Sequence, residues 1–253
     1  MSDALAFPLS DPVGPALPGV EVPGRQVIAE LVAPQATEIE ASGVRRSTID
    51  ALAAAGLLGR PLAPVAAQRE LAELLAGSDA STWFCWAQHF TPVRIIEANN
   101  PTYVLLPALR TAEVFSAVAF AHVRRPGNPN PAATRVPGGW RLDGTLDWVT
   151  SWDITDVVMV MARGTGADSE SLVCAFLPAG HSSAQVVGVE PGEPLSLVAM
   201  GGTHTRPVRL DGVYVRDESV GAILDRTTWL AADARTSADA NPAIFGVTRG
   251  ALA

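Results

Sequence analysis

Residues 139–156 read GWRLDGTLDWVTSWDITD, and the fold turns on this stretch. It opens at Gly138-Gly139, which reads as a hairpin tip between residues 134–136 and 140–142, because glycine tolerates the backbone angles of tight turns. The segment closes on Trp148-Val149-Thr150, read as a turn, and on a second tryptophan, Trp152. Working outward, short β-branched or alternating runs occupy residues 114–123, 157–161, 172–177 and 208–215, separated by Gly, Pro and Asn clusters. The plainest breaker is PGNPNP at 126–131. This texture predicts an antiparallel barrel or sandwich.

Upstream of about residue 113 the period changes. Apolar residues recur at helical spacing: Val27, Ile28, Leu31 and Val32, then Ile39, Val44, Ile49, Leu52 and Leu57, then Leu71, Leu74 and Leu75. Gly56, Gly59, Pro61 and Pro64 stop the second run. A helix is expected over 65–76, and Ser78 or Asp79 can cap another that reaches His89. After Asp225 the pattern returns to helix, and the sequence stops inside a helix begun at Asn241-Pro242. The expected class is α+β and multidomain. A Pro-rich segment (1–24) precedes an α-helical domain (25–112), an antiparallel β-barrel domain (113–224) and the start of a truncated C-terminal helical domain (225–253).

Composition excludes several classes of function. With 48% hydrophobic residues and 17% charged, the chain can bury a sizeable core. No apolar run approaches the roughly 20 residues needed to span a bilayer, and the N-terminal segment lacks a signal-peptide pattern, so a cytoplasmic location is expected. A net charge of −8 without a basic block argues against nucleic acid. All 18 basic residues are Arg, which removes P-loop and Schiff-base lysines from consideration. Cys85 and Cys174 lie far apart in apolar segments and read as buried thiols. His122, His181 and His204 show no metal-ligand spacing, and no G-x-S-x-G or G-x-G-x-x-G occurs.

Four segments carry a family resemblance. STIDALAAAGLLG (47–59) is similar to the acyl-CoA dehydrogenase stretch that ends a helix at a Leu-x-x-x-Gly-Leu turn. GSDASTWFCWAQH (77–89) resembles that family's acidic-Ala-Ser helix with its closing His. GWRLDGTLDWVTSWDITD resembles the central Trp-hydrophobic-Thr signature, and MGGTHTRPVRLDGVYVRDESVG (200–221) the Gly-rich turn and strand that follow. The resemblance implies the acyl-CoA dehydrogenase fold, an FAD cofactor (FMN in a monooxygenase variant), an acyl-CoA or other small-molecule substrate, and a homo- or hetero-oligomer with a related subunit.

Residue by residue, it implies that Trp148 walls the flavin ring, Thr150 donates toward N5, Val149 lies between them, and the backbone of His122 and Val123 meets the pyrimidine edge. The other reading makes Trp148 and Trp152 core aromatics and Thr150 a turn hydroxyl. The family's Thr-Glu-Pro and Gly-Ser-Asp are replaced here by His122-Val123-Arg124-Arg125-Pro126-Gly127, where Arg124 or Arg125 could meet a phosphate. His89 reads either as a proton-steering residue in a flavin monooxygenase or as a helix C-terminal cap. Three functions remain open: an FAD-dependent acyl-CoA dehydrogenase completed by a C-terminal bundle or partner, a flavin-dependent monooxygenase, and a non-catalytic fragment or interaction subunit.

Overall fold

A computed structural model describes residues 24–125, 131–237 and 239–252; the Pro-rich segment before Gly24 and the breaker at 126–130 lie outside this range. Its helices are α1 (Arg25–Val27), continuing into a π-helical turn (Ile28–Val32), α2 (Ala36–Ser42), α3 (Arg46–Ala54), α4 (Val65–Ser78), α5 (Ala80–Gln88), α6 (Phe90–Asn99), α7 (Leu106–Arg110), α8 (Arg226–Ser237) and α9 (Pro242–Leu252). The strands are β1 (Ser116–Ala119), β2 (Ala132–Val136), β3 (Gly139–Val149), β4 (Val157–Gly164), β5 (Ser171–Pro178), β6 (Val189–Pro191), β7 (Arg206–Arg216) and β8 (Val220–Asp225). Together they form two compact units.

The first unit gathers the described residues to Ala87 with Leu197–Thr203 and 241–252. At its centre α4 is buried nearly all round from Glu70 onward, including Leu71, Leu74 and Leu75. Each such leucine contributes roughly 1.5–3 kcal/mol by leaving water. Ile28, Val32, Ile39, Ile49, Leu52 and Leu57 complete this core. The periodic residues of the sequence therefore fall on buried faces. Asp79 caps α5 by accepting the Thr82 amide at 2.5 Å. The segment Leu197–Thr203 is held by polar contacts: the Val44 amide donates to the Gly202 carbonyl, and the Gly201 amide donates to Glu40 at 2.9 Å.

Helix α9 lies against α4 at very short range. A Cβ on Gly246 would stand 2.0 Å from the Glu73 carbonyl oxygen, and one on Gly250 would stand 2.5 Å from that of Gly77. Glycine is needed at the crossing because the obstacle is backbone, which cannot yield as a side-chain tip can. Arg249 pairs with Glu73 at 2.7 Å beside it.

The second unit holds the sheet, ordered β6-β7-β3-β2-β4-β5-β8, with β1 parallel to β4. Most neighbours are antiparallel; β2 meets β4 in parallel over Ala132 and Ala133 alone. The sheet curls, so Leu142, Leu146, Val208 and Val213 from β3 and β7 share one core with Val158, Val160, Val173 and Ala175 from β4 and β5. The opposite face of β4 and β5 presents Met159, Met161, Leu172, Cys174 and Phe176 to Val93, Ile96, Leu106 and Leu109 of α6 and α7.

The strand expected over 114–123 is shorter than its apolar run. β1 ends at Ala119, and Ala121–Arg124 coil into a 3₁₀ turn. The coil brings His122 inward, where its Nε2 donates to the Met161 carbonyl at 2.7 Å.

His89 joins α7 to β1. It is fully buried. Nε2 donates to the Leu109 carbonyl at 2.8 Å, and Nδ1 accepts the Ser116 amide at 3.0 Å. Only the neutral ring with its proton on Nε2 satisfies both bonds. Burial pushes its pKa down from 6.5 to about 4, against the opposing pull of its hydrogen bonds. The helix end that it caps belongs to α7 and not, as the sequence implies, to its own helix.

Two predictions follow from this packing. Gly246→Ala gains roughly 1 kcal/mol of helix propensity, but overpacking against backbone costs about 1–3 kcal/mol. The variant should therefore melt at a lower temperature than the parent and expose α9 to proteolysis. For His89, the folded pKa lies below the unfolded one, so the unfolded chain binds more protons between about pH 4 and 6.5. Its stabilising contribution is complete above pH 6.5 and is lost as pH falls through that window, on the order of 3 kcal/mol. Denaturant unfolding across this range should show the decline, and His89→Gln, which can donate and accept but does not titrate, should flatten it.

Candidate functional site

Strand β3 carries the site at its end, and a bulge determines which side chains it offers. Leu146 pairs with Val208 and Val149 with Arg206, so three steps on β3 match two on β7. The extra residue reverses the side-chain parity. Val149 consequently points into the core and Trp148 points out, 56% exposed. The core-aromatic reading thus divides: Trp152 is buried, whereas Trp148 is not. Arg125 lies over the Trp148 ring at 5.5 Å and forms an ion pair with Asp147.

Behind Trp148 the chain turns through Thr150 and Ser151, the latter at φ 60°. Thr150, Ser151, Thr155 and Thr205 are all buried. Thr155 donates to Ser151 Oγ at 3.0 Å, Ser151 donates to the Thr150 carbonyl at 2.7 Å, and Thr205 donates to Thr150 Oγ1 at 3.4 Å. The Thr150 hydroxyl accepts in this network and spends no proton in it.

Next to these hydroxyls, Arg206 grips Asp153 through Nε at 2.8 Å and Nη2 at 3.0 Å, and His204 Nδ1 lies 3.2 Å from the same carboxylate. Burial alone would raise the Asp153 pKa, but the His204 and Arg206 hydrogen bonds outweigh it and hold the group below its ordinary value. This cluster was missed in the sequence, although Asp153 and the His204–Arg206 pair both lie inside quoted motifs.

His122 and Val123 sit on the 3₁₀ turn. The Val123 amide donates to Phe120 and the His122 carbonyl accepts from Arg125, so these backbone groups serve the turn. Burial pushes the His122 pKa down. Arg124 forms a bidentate pair with Asp233 at 2.7 Å.

A flavin needs a flat apolar wall, a donor near its polar ring edge, and partners for its phosphates. Exposed Trp148 and the unspent Thr150 proton fit the ring. Arg124 and Arg125 each already have a carboxylate partner.

A cleft of about 610 Å³ opens in the same unit between α6, β8 and α8. Ile95, Phe120, Leu224 and Trp229 give it an apolar lining, with Phe120 and Trp229 edge to face at 5.9 Å. Its two carboxylates are committed. Asp233 holds Arg124, and hydrogen bonds from the Thr228 side chain and from its amide, the latter at 2.7 Å, hold the Asp225 pKa low.

Both cysteines are free and buried, and burial pushes both thiols up, Cys174 to about 12. Among the described residues no group of three or more His, Cys, Asp or Glu gathers as a metal site. No helix among them is long and apolar enough to cross a membrane.

No family model and no curated protein sequence matches the chain. Its structure, however, resembles solved ones. A glutaryl-CoA dehydrogenase from Mycobacterium smegmatis superimposes with a TM-score of 0.68 at 22% identity, covering 90% of this chain and 59% of that one. A structure of a glutaryl-CoA dehydrogenase from the same organism in complex with FADH2 gives 0.68 at 17% identity, with the same coverage. Dibenzothiophene monooxygenase from Paenibacillus sp. A11-2 gives 0.63 at 21% identity, covering 81% of this chain and 53% of that one. The chain therefore spans less than two thirds of each of these structures. Over that span it has the acyl-CoA dehydrogenase-like fold.

Proposed function

We propose that the chain is the helical and β-domain portion of an FAD-dependent oxidoreductase acting on an acyl thioester. One observation carries the reading: the β3 bulge exposes Trp148 as a flat wall directly beside Thr150, whose hydroxyl keeps a proton to donate. Trp148 and Thr150 would hold the isoalloxazine, with Val149 anchoring the segment in the core. FAD, when bound, supplies a two-electron acceptor. The protein excludes water on the buried side and presents a donor to the ring edge, as preorganised dipoles do in dry sites. The apolar cleft beside Phe120 and Trp229 supports an apolar substrate.

A second reading, a flavin-dependent monooxygenase, is favoured by the state of the cleft carboxylates. Removing an α-proton requires an effective base, and the cleft offers poor ones: Asp233 is held at both oxygens by the Arg124 guanidinium, and the lowered pKa of Asp225 makes it a weak base. Oxygen insertion makes no such demand. An oligomer belongs to either reading, since α9 exposes Ile244, Phe245 and Leu252.

Purified protein should take up FAD, and Trp148→Ala and Thr150→Val should each weaken the uptake roughly tenfold, about 1.4 kcal/mol. No uptake by the parent protein would overturn both readings. Anaerobic bleaching of bound flavin by an acyl-CoA would select the dehydrogenase, whereas oxygen consumption by the reduced flavoprotein with substrate oxygenation would select the monooxygenase. Light scattering should show self-association, and a stable monomer would contradict it.

A further inference from the structure

We propose that Thr205 is a positioning residue for the flavin, acting through Thr150; this rests on the flavin reading above. A threonine hydroxyl has one proton and two lone pairs, so its role as donor or acceptor is set by its neighbours. Thr205 Oγ1 donates to Thr150 Oγ1 at 3.4 Å, and both residues are buried. Thr150 then has a lone pair engaged from behind and its proton directed elsewhere. The polarity of the neighbouring bonds is consistent with this. Thr155 donates to Ser151, Ser151 donates to the Thr150 carbonyl and Thr205 donates to Thr150, and none of these bonds carries the Thr150 proton. A hydroxyl that accepts one hydrogen bond is also a stronger donor of the next.

Thr205 is itself held in place. It follows His204, which adopts φ 51° and approaches Asp153, and precedes Arg206, which grips that carboxylate at two nitrogens. Its carbonyl accepts the Leu195 amide at 2.9 Å. The backbone is thus fixed on both sides of the donor, and the donor fixes Thr150. No rearrangement is needed to present the proton, which is what gives a positioned donor its value.

The experiment compares wild-type protein with Thr205→Val, Thr205→Ser, Thr150→Val and the Thr150→Val/Thr205→Val double variant. The readouts are FAD affinity, the visible bands of the bound flavin and its reduction potential. Thr205→Val keeps the β-branched shape and removes the donor; it should weaken FAD binding roughly fivefold to tenfold and displace both bands and potential. Thr205→Ser should match the wild type. In the Thr150→Val background, adding Thr205→Val should change nothing further, because the two residues act in series. Should the valine variant fail to fold, Thr205→Ala carries the same expectation.

If FAD binds but Thr205→Val leaves bands and potential unmoved, or if the two changes add independently, the proposal is overturned and the flavin reading stands. If wild-type protein takes up no FAD, the flavin reading falls and the proposal falls with it.

Discussion

The pairing of β4 with β5 is the constraint around which the second unit is built. From Val158 to Ala162 and from Leu172 to Leu177 the two strands are buried on both faces. A strand pair of this kind cannot face water on either side, so it requires two separate apolar covers. The curled remainder of the sheet supplies one, through Leu142, Leu146, Val208 and Val213. Helices α6 and α7 supply the other, through Val93, Ile96, Leu106 and Leu109. His89 belongs to this second cover. Its two ring nitrogens satisfy a carbonyl of α7 and an amide of β1, closing a polar gap that an apolar residue would leave open.

The site follows from how the sheet curls. Strands β3 and β7 stay paired while each departs once from strict alternation. On β7 the departure lies at Asp211 and Gly212, between the residues that pair with Leu142 and Gly144, and Gly212 takes a φ of 65° that glycine adopts without strain. On β3 it lies between Leu146 and Val149. Both strands thereby keep apolar residues inward along their length despite the change in parity. One consequence is incidental to packing and is what the flavin reading rests on: a tryptophan is turned outward at the end of a strand whose next residue is fully buried.

That consequence marks where the sequence was legible and where it was not. The helical periodicity identified Ile28, Ile39, Ile49, Leu52 and Leu71 as buried, and the Gly138-Gly139 signal located the β2–β3 hairpin, with Val136 opposite Gly139. These are local signals, each fixed by residues a few positions apart. The exposure of Trp148 was left open between wall and core, since counting in twos from Trp140 and Leu142 places it inward and a bulge leaves no mark in composition. His89 stayed open between a proton-steering residue and a cap on its own helix because its partners, Leu109 and Ser116, are 20 and 27 residues away. The end of β1 was overestimated because Phe120 to Val123 continue an apolar run, while the turn is made by a histidine reaching a carbonyl 39 residues on. Contacts between distant residues, such as Arg206 with Asp153, have no local signature at all.

The distribution of charge also bears on the kind of binding face this is. Around Trp148 and Thr150 the buried polar groups are neutral hydroxyls, while the nearby guanidiniums are matched by carboxylates: Arg125 by Asp147, Arg124 by Asp233, Arg206 by Asp153. In the flavin reading, the ring is then held by apolar contact and by oriented hydroxyls, and phosphate recognition by Arg124 or Arg125 would require each to exchange an existing carboxylate partner. The Arg125–Asp147 pair, exposed on both sides, exchanges readily, because an ion pair at a surface is worth only about 0–1 kcal/mol. Arg124 with Asp233 and Arg206 with Asp153 are instead joined at two nitrogens to less exposed carboxylates, and so stay in place. In the flavin reading, the Arg125 pair is therefore the adaptable part of the face, and the buried hydroxyls with the two bidentate pairs are its fixed part, so that one end would orient a ring while the other accommodates a charged tail.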